Sequence, residues 1–282
     1  MNIKKRVAFH IVFLYVYIMK PTILLYDSGM GGLTIYDEVR KVLPNAHYLY
    51  CFDNAFFPYS EKSEQVLIER AVKIVQKIAE KQPLDLVVVA CNTASTVVLP
   101  ALREHFDFPI VGTVPAIKPA AAISKTKTIG LLATVGTIKR PYVLDLIHRY
   151  AKDCQVEKIG NTQIVELAET KLLTGTVDLP SLKECVEPWL NHPTLDTVIL
   201  GCTHFPLLKE ELKQLLPQVT YFVDSGEAIA KRVQSLLLEN HHHSQEKERE
   251  NTAFCTELTE NFKNREVMMQ KLGFKSLKVL EI

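Results

Sequence analysis

Cys91 and Cys202 end two apolar runs of the same build, LVVVACNTAST at 86–96 and TVILGCTHFPL at 197–207. A short β-branched run bounded by turn-formers reads as a buried parallel strand. Open α/β sheets gather their ligands beyond the carboxyl ends of such strands. Each cysteine is followed at once by hydrogen-bonding residues, Asn92-Thr93 and Thr203-His204, of the kind that keep a thiolate accessible. The two lie in different halves of the chain, so each half delivers one thiol. Facing thiols could take a proton from one side of a carbon atom and return it on the other. Taken singly, either cysteine suits a small core residue; the repeated context points to chemistry. His204 suits a proton relay or a group that orients the thiol. Asp27 in the first half and Glu166 in the second are acids that could exchange protons with the thiols or orient them.

The elements that must carry these residues follow from periodicity. TILLY at 22–26 is strand-like and ends in Asp27-Ser28-Gly29-Met30-Gly31-Gly32. Leu33, Tyr36, Val39 and Val42 or Leu43 then recur at helical spacing. The glycine turn is neither a Walker A loop nor GxGxxG, but a carboxylate closing an inner strand needs a partner. A second strand at 48–52 leads to the aromatic loop Phe56-Phe57-Pro58-Tyr59-Ser60. Ser60 or Ser63 then caps a helix whose apolar face is Leu67, Ala71, Ile74, Val75 and Ile78. After the Cys91 strand come a helix at 94–106 interrupted near Pro100, a short strand at 109–112, and a passage at 114–124 into the second half.

There, a strand at 128–133 ends in Thr134-Val135-Gly136-Thr137. Helices are expected around 142–150, 163–173, 181–190 and 206–216, and a strand at 220–223. The last ends in Asp224-Ser225-Gly226, repeating the triplet at 27–29. Both repeats suggest a duplication. The fold class expected is α/β: two similar α/β domains with mostly parallel sheets and the active site in the cleft between them. The expected limits are 20–115 plus 226–282 for the first domain and 116–225 for the second. A helix at 228–238 is followed by a polar linker at 241–250, whose three histidines read as a solvated helix end rather than a metal site. The segment 254–282 should return to the first half as a closing helix and strand.

Composition narrows the partners. With 282 residues, 47% apolar content and a formal charge of +1, the chain has ample core and no electrostatic case for nucleic acid or an anionic membrane. Six scattered cysteines without CxxC pairs make neither a disulfide framework nor a zinc site, and fit reduced thiols in the cytoplasm. Lys4, Lys5 and Arg6 precede an apolar run at 7–19 that is too short to span a bilayer. Residues 1–19 are expected to be a dispensable extension, with Met19 as a candidate start.

DSGMGG at 27–32, FPYS at 57–60, ACNTAS at 90–95, LLATVGT at 131–137, VELAE at 165–169 and GCTHFPLL at 201–208 closely resemble the glutamate racemases of the aspartate/glutamate racemase superfamily. The resemblance runs from about Lys20 to the end. It implies a bacterial, cytoplasmic, cofactor-independent isomerase without metal, interconverting L- and D-glutamate and supplying D-glutamate for peptidoglycan, hence for cell-wall biogenesis and cell shape. By the same resemblance Cys91 and Cys202 are the acid–base pair, Cys91 acting on D-glutamate and Cys202 on L-glutamate, and Glu166 assists the Cys202 side. Asp27, Ser28, Tyr59, Ser60, Asn92, Thr93, Thr203 and His204 fall at substrate-contacting positions, with Thr134 and Thr137 as further carboxylate donors. A homodimer and a peptidoglycan-precursor activator are the implied partners.

The family commonly has PYG where this chain has Pro58-Tyr59-Ser60; serine serves provided its φ stays negative. Chemically, an amino-acid α-proton is weakly acidic, and no pyridoxal-lysine motif is evident. Preorganised N–H groups and hydroxyls must then stabilise the developing charge. The competing expectations are a racemase of another acidic amino acid such as aspartate, and a non-catalytic amino-acid-binding or regulatory module on the same scaffold.

Overall fold

Runs with no polar face become inner strands, and the first of them, Thr22–Asp27 (β1), is buried at every position. The computed structural model describes residues 20–239 and 249–282. The extension at 1–19 and most of the 241–250 linker, with His241, His242 and His243, lie outside the described residues. After β1 come Leu33–Val42 (α1), His47–Phe52 (β2), Glu64–Ala79 (α2), Leu86–Val89 (β3), Asn92–Ser95 (α3), Leu99–His105 (α4) and Ile110–Gly112 (β4). The middle of the chain forms Ile117–Ile123 (α5), Thr128–Ala133 (β5), Val135–Ile138 (α6), Pro141–Tyr150 (α7) and Gln155–Gly160 (β6). It continues through Gln163–Thr174 (α8), Leu179–Cys185 (α9), Leu195–Leu200 (β7), Lys209–Leu215 (α10) and Tyr221–Val223 (β8). Gly226–Glu239 (α11), Thr252–Cys255 (β9), Phe262–Lys271 (α12) and Ser276–Val279 (β10) complete it.

The chain is α/β, as expected, with two sheets. The first has the order β10-β9-β2-β1-β3-β4 and the second β6-β5-β7-β8. Every strand pairing in both is parallel. One face of the first sheet packs Ile23 and Leu25 with Val39 of α1 and Val233 of α11. The other packs Leu24 and Tyr26 with Leu67, Ala71 and Ile74 of α2, on the stripe the sequence marks. Trp189 and Phe205 sit in the core of the second sheet.

In each sheet the first four strands by chain order lie second-first-third-fourth. Connections therefore reverse at β1/β3 and at β5/β7, and such reversals open a crevice beyond the carboxyl ends. Cys91 follows β3 and Cys202 follows β7, which are equivalent places. The Asp-Ser-Gly triplets are not equivalent. Asp27 ends β1, whereas Asp224 follows β8, the fourth strand of its set, and Thr134 at the end of β5 stands where Asp27 stands in the first sheet. Asp224 instead accepts from the Gly226 N–H (2.9 Å) at the start of α11, a capping habit that Asp-Ser-Gly supports at any helix start.

Other departures have local causes. The passage at 114–124 contains α5. The polar strand β6 (QVEKIG) is an edge strand, exposed or half-buried along its length, and so lacks an apolar signal. The helix at 94–106 is interrupted near Pro100, as expected: it splits into α3 and α4 at residues 96–98, with Pro100 in the first turn of α4. The C-terminal segment adds two strands around α12, not one. Ser63, not Ser60, caps α2, accepting from the Val66 N–H. Among the described residues no helix is long and apolar enough to cross a membrane, and no cluster of three His, Cys, Asp or Glu side chains could hold a metal ion.

Asp196, at the start of β7, ties the α5–β5 connection to the second sheet. It accepts from Ser124 Oγ (2.7 Å), the Lys125 N–H (2.7 Å), the Thr126 N–H (3.0 Å) and Thr197 Oγ1 (2.8 Å). Burial pushes its pKa upward, but these donors outweigh burial and hold it at about 2. A depressed carboxylate pKa stabilises the fold above the unfolded value of about 3.9 and ceases to do so as pH falls toward the folded value. Asp196→Asn should therefore flatten the loss of stability between about pH 4 and pH 2; acid titration of unfolding in urea measures it, and an unchanged slope contradicts this role.

Candidate active site

Backbone donors at the two strand ends organise the site. Asp27 is fully buried at the end of β1 and accepts from the Ser28 N–H (2.7 Å) and the Gly32 N–H (2.6 Å). Burial raises its pKa, partly offset by His204 and by these two N–H groups. Thr203 Oγ1 reaches the same carboxylate from the second sheet at 3.5 Å. Beside it, Ser28 Oγ lies 3.7 Å from Cys91 Sγ. Cys91 is 5% exposed and caps α3. Its thiol pKa is pushed well up, first by burial and then by the Asp27 and Cys202 charges, against the Ala94 N–H and Ser28. Cys91 is therefore held as a thiol.

The second thiol has a different setting. Cys202 Sγ lies 3.8 Å from His204 Nδ1, and His204 Nε2 lies 2.8 Å from Glu169 Oε1. The Met30 N–H donates to the same Glu169 oxygen (2.6 Å), and the Gly31 N–H approaches His204 Nε2 at 3.1 Å. A protonated Nε2 has no lone pair for Gly31, so the two contacts compete. The shorter one, to a buried carboxylate already held by Met30, favours Nε2–H donating to Glu169. Burial disfavours an imidazolium, but Cys202 and Glu169 together raise the His204 pKa well above its ordinary value. Glu169 is correspondingly lowered: burial raises it, and the His204 hydrogen bond and charge more than reverse that. His204 thus presents N–H groups to both the Cys202 sulfur and Glu169.

These contacts cross between the sheets, and glycine permits them. A Cβ on Gly31 would sit 2.3 Å from His204 Nδ1, and one on Gly29 would sit 2.6 Å from Glu169 Oε1. A hydroxyl cluster also crosses. Thr93 Oγ1 lies 3.1 Å from Thr134 Oγ1 and 3.2 Å from Thr137 Oγ1, all three residues being buried. Asn92 is buried too, and its Nδ2 has no partner among the described residues, so a donor remains for a ligand. It lines a small cavity with Cys202, Thr203 and Ser225.

Asp27, Ser28, Cys91, Asn92, Thr93, Cys202, Thr203 and His204 thus converge, but two expected residues do otherwise. Glu166 is exposed on α8 and makes no contact with the thiols; Glu169, one turn on, is the acid at His204. The buried stripe of α8 is Ile164, Val165, Ala168 and Glu169. A carboxylate on an apolar stripe is the signal that picks Glu169 over Glu166. The Tyr59 hydroxyl donates to buried Asp53 (2.7 Å) and meets the Tyr26 hydroxyl, so that residue can offer a ligand only its backbone. Asp53 is also paired with Arg70 and accepts from Thr256 Oγ1 (2.6 Å), partners no local pattern links to the loop. Ser60 carries no left-handed strain, since Lys127 is the described non-glycine residue with positive φ. Its Oγ lies 3.3 Å from Thr162 Oγ1 across the cleft.

Residues 33–233 match the family described as Asp/Glu/Hydantoin racemase. The chain is 72% identical over 262 residues to the glutamate racemase of Actinobacillus pleuropneumoniae serotype 5b, covering 93% of this chain and 99% of the relative. It superposes on the crystal structure of Escherichia coli glutamate racemase in complex with L-glutamate and the activator UDP-MurNAc-Ala with a TM-score of 0.88, at 52% identity, covering 93% of this chain and 98% of that one. The Francisella tularensis glutamate racemase in complex with D-glutamate gives a TM-score of 0.75 at 26% identity, with 93% and 97% covered.

The His204 ring provides the direct test of this geometry. Its side-chain ¹⁵N shifts should report an imidazolium through neutral pH, with loss of the proton only on the alkaline side. In Glu169→Gln that midpoint should fall by at least about one unit, through loss of the charged partner. A neutral ring at pH 7 in the parent protein, or no change in the variant, contradicts the arrangement.

Proposed function

The chain belongs to the Asp/Glu/hydantoin racemase family, and from that premise we propose that it interconverts L- and D-glutamate by a cofactor-independent, two-thiol mechanism. The observation that carries the mechanism is the pair of cysteines at equivalent strand ends of two sheets, each with its own polar partners. L-Glutamate enters with its α-hydrogen toward Cys202. The Cys202 thiolate, facing the His204 imidazolium, takes that proton. Cys91, held as a thiol, delivers its proton to the opposite face, leaving D-glutamate, a Cys91 thiolate and a Cys202 thiol. The reverse reaction exchanges these roles.

The carbanion needs charge stabilisation in a water-poor site. Asn92 Nδ2 and the Thr203 hydroxyl are suited to the α-carboxylate, and Asp27 with Ser28 to the ammonium group. The Thr93, Thr134 and Thr137 hydroxyls satisfy one another in the free protein, and a side-chain carboxylate would take over these donors together with backbone N–H groups of Tyr59 and Ser60. Glu169 acts through His204, not on substrate.

A reaction that relies on reduced thiols suits the cytoplasm, where such thiols persist, and in that setting the chain would be a source of D-glutamate for peptidoglycan. A peptidoglycan-precursor activator is a candidate partner, because the E. coli relative was crystallised with one. A homodimer completes the proposal.

A circular-dichroism time course with L-glutamate and no added cofactor should decay to the racemic signal. Cys91→Ala and Cys202→Ala should each lower the rate by at least about 10³-fold, within the range of acid–base catalysis by a positioned group. Parent-like turnover in either variant contradicts the two-thiol scheme. Preference for L-aspartate, or saturable glutamate binding without loss of the α-proton, supports the competing readings.

A further inference from the structure

The polar side chains around the thiols set two carboxylates, Asp27 and Glu169, against one imidazole. A dicarboxylate entering that cleft approaches like charge, so attraction must come from its rim. Three residues beyond the fully buried Thr137 stands Arg140, whose N–H donates to the Thr137 carbonyl (3.2 Å). The Arg140 side chain is only 18% exposed, and its Nε is buried without a hydrogen-bond partner among the described residues. It pairs across the cleft with Glu64, the first residue of α2, which is 59% exposed. The same rim is closed by the Ser60–Thr162 hydroxyl contact and by Gly136, where an added Cβ would lie 3.0 Å from the Ser60 carbonyl oxygen. From the threonines outward, then, come a fixed cation with an unused donor and a free-standing carboxylate that occupies it. Lys139, Glu61 and Glu64 are exposed close by, and Lys62 is half-buried.

We propose that Arg140 and Glu64 form an ion gate at the mouth of the cleft: Arg140 draws in the anionic dicarboxylate, Glu64 swings aside as it enters, and the pair re-forms behind it. This rests on the dicarboxylate reading of the site. Glu64 is the movable member because it is exposed at a helix start, and Arg140 the fixed one because it is packed. Arg140 acts on the approach of substrate and touches no reacting atom, so it is a positioning residue.

The gate differs from a structural ion pair in the sign of its two halves. Breaking a structural pair from either side costs in the same direction, whereas removing the cation of a gate weakens attraction and removing its carboxylate unmasks it. The measurement is kcat/KM for L-glutamate as KCl rises from about 0.02 to about 0.5 M, a range that takes the screening length from roughly 20 Å to a few ångströms. Parent kcat/KM should fall with salt. Arg140→Gln should lose about tenfold at the low-salt end and show a flattened salt dependence, the size expected of electrostatic steering. Arg140→Lys should retain the salt slope, and Glu64→Gln should raise low-salt kcat/KM about two- to fivefold. Losses in both Arg140→Gln and Glu64→Gln, or a parent-like salt slope in Arg140→Gln, overturn the gate. If Arg140→Gln does not fold, a Glu64→Gln value at or below the parent's overturns it alone. A parent protein that leaves glutamate unchanged at every salt concentration defeats the dicarboxylate reading instead.

Discussion

A carboxylate on one sheet's side is held by a backbone N–H from the other and in turn holds an imidazole of its own half, and the geometry of the site depends on that clamp. Met30 and Gly31, in the turn after β1, approach Glu169 and His204, which lie after β6 and β7. The turn comes this close because positions 29 and 31 lack a Cβ; any larger residue would meet the Glu169 oxygen or the His204 ring. Asp27, at the root of the same turn, accepts from the turn's own N–H groups, so it fixes the turn's shape while standing beside Cys91. One short segment thus positions the partners of both thiols. The sheets could not separate far without dissolving the Cys202 side of the site.

The clamp also makes the two thiols unequal. Cys91 is buried beside a carboxylate, and both conditions favour its protonated form. Cys202 faces a histidine whose charge Glu169 stabilises. A two-base reaction needs one sulfur charged and one neutral at the start of each turnover, and an imidazolium beside one sulfur with a carboxylate beside the other makes the two half-sites unequal. After transfer the charges are reversed, with the thiolate at Cys91. The chemistry is symmetric in reactants but is carried by two differently built half-sites.

Much of this was legible in residue order because strand ends are local features. β-Branched runs broken by Cys-polar-polar mark where Cys91 and Cys202 emerge, and sheet order makes those places equivalent. What the sequence concealed was phase and distance. Glu166 and Glu169 share one turn of α8, and only the turn's orientation against the sheet buries the second. Tyr59 has the composition of a ligand-binding residue, but its hydroxyl is claimed by Asp53, which Arg70 and residue 256 also hold. The repeated Asp-Ser-Gly looked like a duplicated feature, yet one copy follows a first strand and the other a fourth. β6 was hidden because an edge strand needs no apolar face.

The central claim is that the proton removed and the proton delivered belong to different sulfurs. It is tested most directly by following the first few per cent of turnover of L-glutamate in deuterium oxide and resolving the enantiomers. The account predicts D-glutamate fully deuterated at the α-carbon while the recovered L-glutamate remains largely protiated. D-Glutamate that keeps the substrate's own hydrogen would mean that a single base serves both faces, and would contradict it.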